Sequence, residues 1–232
     1  MTEKLSENDR IRKELISDVL HDFQSPLLNI KGYAELLLDG ELSVEKRRSY
    51  AFVIQSETER LSSLTKQLLL LTSLDQLSSP LELTTFSLDV QLKETVRKYR
   101  WLLEEKNLTL SMDLDEVKFT GDPAFLEKVW ENLISNALKY SIPEGTIDIE
   151  LREQANNVIV AVSDNGIGIS KKEIERIFDR FYRADDSRTQ KISGTGLGLS
   201  IVQQVVKLHQ GTIEVASQNG GTTTFIITLP KL

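Results

Sequence analysis

The 232-residue chain holds two histidines, His21 and His209, and His21 stands in a setting suited to chemistry. His21-Asp22-Phe23-Gln24-Ser25-Pro26-Leu27 lies inside a stretch with helical periodicity, where a proline costs about 3 kcal/mol. Pro26 cannot donate to the carbonyl of Asp22, so a helix is expected to kink or loosen just after His21 and present the imidazole. The plain alternative is a solvated helix histidine beside an accidental proline. Ser25, at i+4, shares the face of His21, whereas side chains at i and i+1 point about 100° apart, so Asp22 reaches the imidazole only with help from the kink or its rotamer.

Four further segments invite a nucleotide. In Asn132-Leu133-Ile134-Ser135-Asn136-Ala137-Leu138-Lys139-Tyr140, the residues Asn132, Asn136, Lys139 and Tyr140 follow at helical steps. Amides on one helix face can hold a hydrated Mg²⁺, and a lysine one turn on can meet phosphate. Asp164-Asn165-Gly166-Ile167-Gly168-Ile169 follows an apolar strand, Val158–Val162. There a carboxylate can accept from the amine of adenine, and glycines let backbone approach the ring. Phe178-Asp179-Arg180-Phe181-Tyr182-Arg183 could anchor a mobile lid, with Arg183 reaching phosphate. Gly194-Thr195-Gly196-Leu197-Gly198 opens a helix, whose first N–H groups favour phosphate. Each has an ordinary reading by itself: a polar helix face, an Asp-Asn-Gly turn, a tight loop. Other phosphate-binding patterns fail. No glycine precedes a lysine, Leu199 stands where a dinucleotide fingerprint needs glycine, and the Ser/Thr kinase catalytic set is missing.

The elements that carry these residues fall into two halves. Ten of the twelve glycines lie at or beyond Gly121. Before Pro80 the spacing predicts two long amphipathic helices, about Asn8–Leu38 and Val44–Leu74, separated at Asp39-Gly40. Ile54, Leu61 and Leu68 recur at sevens, with Leu64 and Leu71 offset by three. A two-helix hairpin with this much apolar face is expected to pair with a second copy in a four-helix bundle, so residues 1–78 predict a homodimer; a hairpin packed on its own C-terminal half is the alternative. Ser78-Ser79-Pro80 reads as a linker. Beyond it, helices are predicted over Leu88–Glu104, Pro123–Tyr140 and Gly196–Leu208. Strands are predicted over Leu108–Leu114, Ile147–Arg152, Val158–Ser163, Thr212–Ala216 and Thr223–Leu229. This is the pattern of an α/β sandwich with helices on one face of a mostly antiparallel sheet. A net charge of −7 argues against a nucleic-acid partner, and the absence of cysteine excludes disulfides and thiolate metal sites. No apolar run is long enough to span a membrane and the first residues lack signal-peptide character. The expected location is cytoplasmic, whether alone or as the inner portion of a membrane-bound sensor.

In order and spacing, the four segments resemble the N, G1, F and G2 boxes of the histidine-kinase ATPase family, whose fold is shared with gyrase, the Hsp90 chaperones and MutL. The resemblance covers about residues 86–230. It implies ATP and Mg²⁺ as cofactors, with Asn136 binding the metal and Asp164 reading adenine, aided by Gly166 and Gly168. It also implies that Gly194, Thr195, Gly196, Leu197 and Gly198 cradle phosphates, and that Asn132, Lys139, Tyr140 and Arg183 make further nucleotide contacts. Gly220-Gly221-Thr222-Thr223-Thr224 is unevenly spaced against the family's last glycine motif, with Thr224 as its adenine-side contact. Residues 8–75 resemble the dimerisation and phosphoacceptor domain of sensor histidine kinases, whose motif reads His-acid-x-x-Thr-Pro-Leu. This implies autophosphorylation of His21, Asp22 as the residue that orients or deprotonates it, and transfer to an aspartate of a response-regulator receiver domain. Ser25 stands where a Thr or Asn serves phosphatase activity toward that partner, and Gln24 where a basic residue is frequent. The implied organisation is 1–78 phosphoacceptor domain, 79–85 linker and 86–232 catalytic domain. Two competing readings are a conformational ATPase of the gyrase or chaperone type and a non-enzymatic scaffold switched by nucleotide. The first lacks any segment resembling a transducer domain.

Overall fold

The structure is a computed structural model that describes residues 20, 22–38, 42–75, 81–183, 194–218 and 220–231. The chain divides into two compact units, Met1–Ser73 and Leu74–Leu232.

The first unit is a helical hairpin. Helix α1 occupies residues 22–37 and continues through Pro26. Helix α2, Val44–Asp75, starts at Ser43, whose hydroxyl accepts from the Lys46 N–H at 3.3 Å, as an N-cap does. Asn29 donates to Glu57 at 2.8 Å, and the rings of Tyr33 and Tyr50 meet at 5.3 Å, so polar and aromatic pairs join the two helices. Leu64 and Leu71, one heptad apart, are buried, while Leu27 is 52% and Phe52 69% exposed. Much of the apolar surface of these helices therefore faces outward. Among the described residues no helix is long and apolar enough to cross a membrane.

The second unit is a layered α/β domain. Strands β1 (Thr84–Ser87) and β3 (Lys118–Gly121) form a small antiparallel ribbon. The main sheet joins β2 (Thr109–Leu114), β4 (Thr146–Glu153), β5 (Asn157–Asp164), β6 (Thr212–Ser217) and β7 (Thr223–Pro230). Their order is β2-β4-β5-β7-β6, antiparallel throughout except for the β2–β4 pair. Strand alternation sorts the side chains. Ile147, Ile149 and Leu151 of β4, Val158, Val160 and Val162 of β5, and Phe225, Ile227 and Leu229 of β7 are buried. The register places these rows side by side on one face. Helices α5 (Pro123–Tyr140) and α7 (Gly198–Leu208) pack together beside that sheet, α5 on β5 and α7 on β6. They contribute Trp130, Leu133, Ile201 and Val205 to the core. The opposite face carries Asp148, Glu150 and Glu214 in the open.

Two features depart from the predicted elements. The helix expected over Leu88–Glu104 is two helices, α3 (Leu88–Arg97) and α4 (Arg100–Glu105). At the break, the Lys98 ammonium binds Glu127 at 2.6 Å and Glu131 at 2.8 Å, both on α5. Strands β1 and β3 and the one-turn helix α6 (Lys171–Ile174) are shorter than periodicity can reveal.

Candidate functional site

Helix α5 begins at Asp122, whose carboxylate accepts from the N–H groups of Ala124 and Phe125, with Pro123 in the first turn. Leu126, Val129, Leu133 and Ala137 turn its apolar side into the core. Asn132, Asn136, Lys139 and Tyr140 are half-buried along another side. Asn132 donates to the Lys128 carbonyl at 2.7 Å, and its amide oxygen lies 2.5 Å from where a Cβ on Gly198 would stand. The Lys139 ammonium lies against Gly194 in the same way and 5.1 Å from the Tyr140 ring. The start of α7 and the glycine loop before it thus meet this side of α5. The Asn136 side chain makes no hydrogen bond among the described residues, so its carbonyl oxygen is available to a hard cation.

Asp164 ends β5 on the helix-covered face and is 6% exposed. One carboxylate oxygen accepts the Gly166 N–H at 3.0 Å; the other has no hydrogen bond among the described residues. Burial pushes the acid up to about 6, against the hydrogen bond from Gly166, which lowers it. The loop beyond is pressed onto its neighbours. A side chain at Gly166 would strike the Tyr140 carbonyl, and one at Gly168, with φ +71, would strike the Gln218 carbonyl. Gly220 N–H donates to the Ile167 carbonyl at 2.7 Å and completes that contact.

Phe181 and Gly196 lock two loops together. Phe181 has φ +61, a costly conformation for a bulky residue, and its N–H donates to the Gly196 carbonyl at 3.0 Å. Gly196 has φ +67, and a Cβ there would stand 2.6–2.7 Å from Phe181 backbone carbons. Arg183 is near enough to Tyr140 for its charge to oppose the upward push of burial on that phenol. Leu197 is fully buried, so it anchors the loop and can offer a ligand only backbone. Among the described residues no side chain caps α7, and Thr195 accepts the Leu197 N–H at 3.3 Å. Residues 184–193 lie outside the described residues.

Asn132, Asn136, Lys139, Tyr140, Asp164, Gly166, Gly168, Arg183 and the Gly194–Gly198 segment are therefore borne on adjoining elements of one domain. Thr224 is not brought to Asp164. Its register partner is Ser163, and the two hydroxyls bond at 2.8 Å on the open face of the sheet. The residue opposite Asp164 is Thr223, 4% exposed. Strand parity would have found it, because Thr223 shares the inward phase of Phe225, Ile227 and Leu229. Sequence reasoning also passed over Ser217, which accepts the Ile169 N–H at 2.9 Å and bonds Thr223 at 2.7 Å. In the helical unit, His21 lies outside the described residues, while Asp22 is half-buried and Ser25 exposed on α1. The helix is unbroken at Pro26 in residues 22–37, so the expected loosening does not end it.

An ATPase-type sandwich with this arrangement, attached to a long helical hairpin, defines a class. Residues 121–232 match the family described as histidine kinase-, DNA gyrase B-, and HSP90-like ATPase. Residues 11–77 match the His Kinase A (phospho-acceptor) domain. The chain is 34% identical over its whole length to the heme sensor protein HssS of Staphylococcus aureus, covering 50% of that protein. It is 32% identical over 96% of its length to the sensor protein kinase WalK of Staphylococcus epidermidis, covering 37% of it. Among solved structures it is similar to histidine kinase ThkA in complex with response regulator protein TrrA, with a TM-score of 0.77 and 24% identity, covering 99% of this chain and 66% of that one. The chain spans half or less of the length of these two curated relatives. The chain belongs to the histidine kinase family and carries both its phospho-acceptor and its ATPase domain.

Proposed function

We propose that this chain binds ATP in its C-terminal domain, phosphorylates His21, and passes the phosphoryl group to an aspartate of a response-regulator receiver domain. The observation that carries the reading is the unpartnered oxygen of buried Asp164 in a domain that also turns the Asn136 side of α5 toward the Gly194–Gly198 loop. Asp164 accepts from the exocyclic amine of adenine. Lys139, Arg183 and the first N–H groups of α7 take the phosphates, with Asn132 and Tyr140 alongside. A Mg²⁺ ion held by Asn136 supplies charge neutralisation on the phosphate oxygens. In the transfer step, the unprotonated nitrogen of His21 attacks the γ-phosphorus in line. The bond from that phosphorus to the β–γ bridging oxygen breaks, ADP leaves, and the imidazolium gives its remaining ring proton to a base, the role proposed for Asp22. In the second step the N–P bond breaks as an aspartate oxygen of the receiver takes the phosphoryl group. ThkA, held in its structure with a response regulator, supports that class of partner. The domain limits that go with this reading are 1–78, 79–85 and 86–232, with residues 1–78 as the homodimerising part. A cytoplasmic location follows, since ATP and the receiver are found there. Ser25 retains a hydroxyl that can position water, which supports a phosphatase activity toward the receiver.

The test is incubation with γ-labelled ATP and Mg²⁺, comparing wild type with His21→Gln. Wild type is expected to take up a label lost in acid and kept in alkali, while the variant takes none and still binds ATP within a few-fold. Release of label only as free phosphate would leave a conformational ATPase, and the kinase reading would fail.

A further inference from the structure

Asp164, Thr223 and Ser217 form a polar row across three adjacent strands, β5, β7 and β6, at the end of an otherwise apolar face. Thr223 is the direct register partner of both, so the three side chains stand on the same side of the sheet, with Asp164 and Ser217 each about 5 Å from Thr223 at Cβ. The row is tied at its far end to the loop that follows Asp164: the Ile169 N–H donates to the Ser217 hydroxyl at 2.9 Å. A backbone N–H can only donate, so the Ser217 oxygen accepts there, and the accepted bond makes its own O–H a stronger donor. Among the described residues the Thr223 hydroxyl, 2.7 Å away, is the acceptor within reach of that proton; either hydroxyl could donate in this bond, and the bond from Ile169 favours Ser217 as the donor. With Ser217 donating, the Thr223 proton has no acceptor among the described residues, and the second carboxylate oxygen of its register partner Asp164 likewise makes no hydrogen bond there.

We propose that Ser217 is a positioning residue for base selection: through Thr223, the hydrogen-bond chain from Ile169 fixes the polarity of the site. The chain runs Ile169 N–H to Ser217, Ser217 O–H to Thr223, and Thr223 O–H toward the ligand. This presents one acceptor, Asp164, beside one directed donor, Thr223. That pair is complementary to an edge carrying a donor amine next to an acceptor ring nitrogen, as adenine does. An edge with a carbonyl next to a ring N–H, as guanine has, meets like polarity at both positions, leaving buried polar groups unpaired. The inference rests on the proposed nucleotide site and adds to it the residue that sets which base is accepted.

The experiment is calorimetric titration of the whole chain with ADP and with GDP, each with Mg²⁺, for wild type, Ser217→Ala and Ser217→Thr. Wild type prefers ADP. Ser217→Ala frees the Thr223 hydroxyl to rotate, so ADP affinity falls by about tenfold while GDP changes little, and the ratio narrows. Ser217→Thr keeps the hydroxyl and restores the ratio. A purely structural role, loosening the Ile169 loop, would weaken both nucleotides alike and leave the ratio unchanged, and that outcome overturns the proposal. A wild type that binds ADP and GDP equally would sink adenine reading by Asp164, and this inference with it; a selective wild type with an unaltered ratio in Ser217→Ala sinks the role of Ser217 alone.

Discussion

Asp164 must carry charge where burial disfavours it. Its acid lies at about 6 in the fold against an ordinary 3.8. The ligand-free fold is therefore favoured while Asp164 is protonated, and that contribution is lost as pH rises through about 6. Asp164→Asn has two opposed effects. At pH 7 it raises the melting temperature of the ligand-free protein, and it weakens nucleotide binding by about tenfold or more, since a charged acceptor is replaced by an amide. Melting curves and ADP titrations at pH 5.5 and 7.5 read both. Wild-type affinity should fall at the lower pH by more than that of the variant; parallel pH profiles would remove Asp164 from the site. Gly196 is constrained differently. Its positive φ and the Phe181 backbone leave no room for a Cβ, so Gly196→Ala forces one loop off the other. Nucleotide affinity is expected to drop more than tenfold with a stability loss of about 1–3 kcal/mol. Equal affinity by titration would show that the two loops can part without cost to the site.

Helix α5 carries one wall of the site, and its position depends on a buried histidine on another element. His209, just beyond α7, accepts the Asp122 N–H on Nε2 at 2.9 Å, and its Nδ1 donates to the Val205 carbonyl at 2.9 Å. Accepting on Nε2 requires the neutral ring, whereas the Nδ1 bond to Val205 survives protonation. Burial depresses the imidazole below its ordinary value of 6.5. With a depressed folded value, the contribution of His209 is full above about pH 6.5 and is lost as pH falls through the folded value, where Nε2 must take a proton and surrender the Asp122 N–H. His209→Ala is expected to cost about 1–3 kcal/mol, because it leaves that buried N–H unpaired. The melting temperature of wild type should fall more steeply than that of the variant between pH 7 and 5. If the two curves run parallel, the imidazole is not the titrating group.

At the scale of the whole molecule, the hairpin leaves apolar side chains in water that a single copy does not cover. Leu27 and Phe52 are two such side chains, at 52% and 69% exposed. Pairing two hairpins is the proposed remedy, and a charge placed in the seam should undo it. Sedimentation of the wild-type chain is expected to give a dimer, and Leu27→Glu to shift it toward monomer with the catalytic domain still binding nucleotide. A wild type that sediments as monomer at every concentration would refute the bundle.

The amino-acid sequence alone determined what depends on short spacing. Heptads along Ile54–Leu71 specified a helix, alternation along Ile147–Arg152 a strand, and the glycines at 194, 196 and 198 a loop opening a helix. Each of these is dictated by neighbours within a few residues, through backbone periodicity and steric freedom. The motif residues of the proposed site were legible for the same reason. Only the tertiary structure decided what depends on partners far along the chain. Thr223 rather than Thr224 stands beside Asp164 because register with β5, some sixty residues earlier, sets which face each side chain takes. Ser217 and His209 gain their roles through bonds to Ile169 and Asp122 that no local pattern announces. The helix over Leu88–Glu104 breaks beside Lys98, whose ion pairs reach to α5. A polar residue at a given spacing shows what chemistry it can do; the partner that fixes its geometry is chosen by packing.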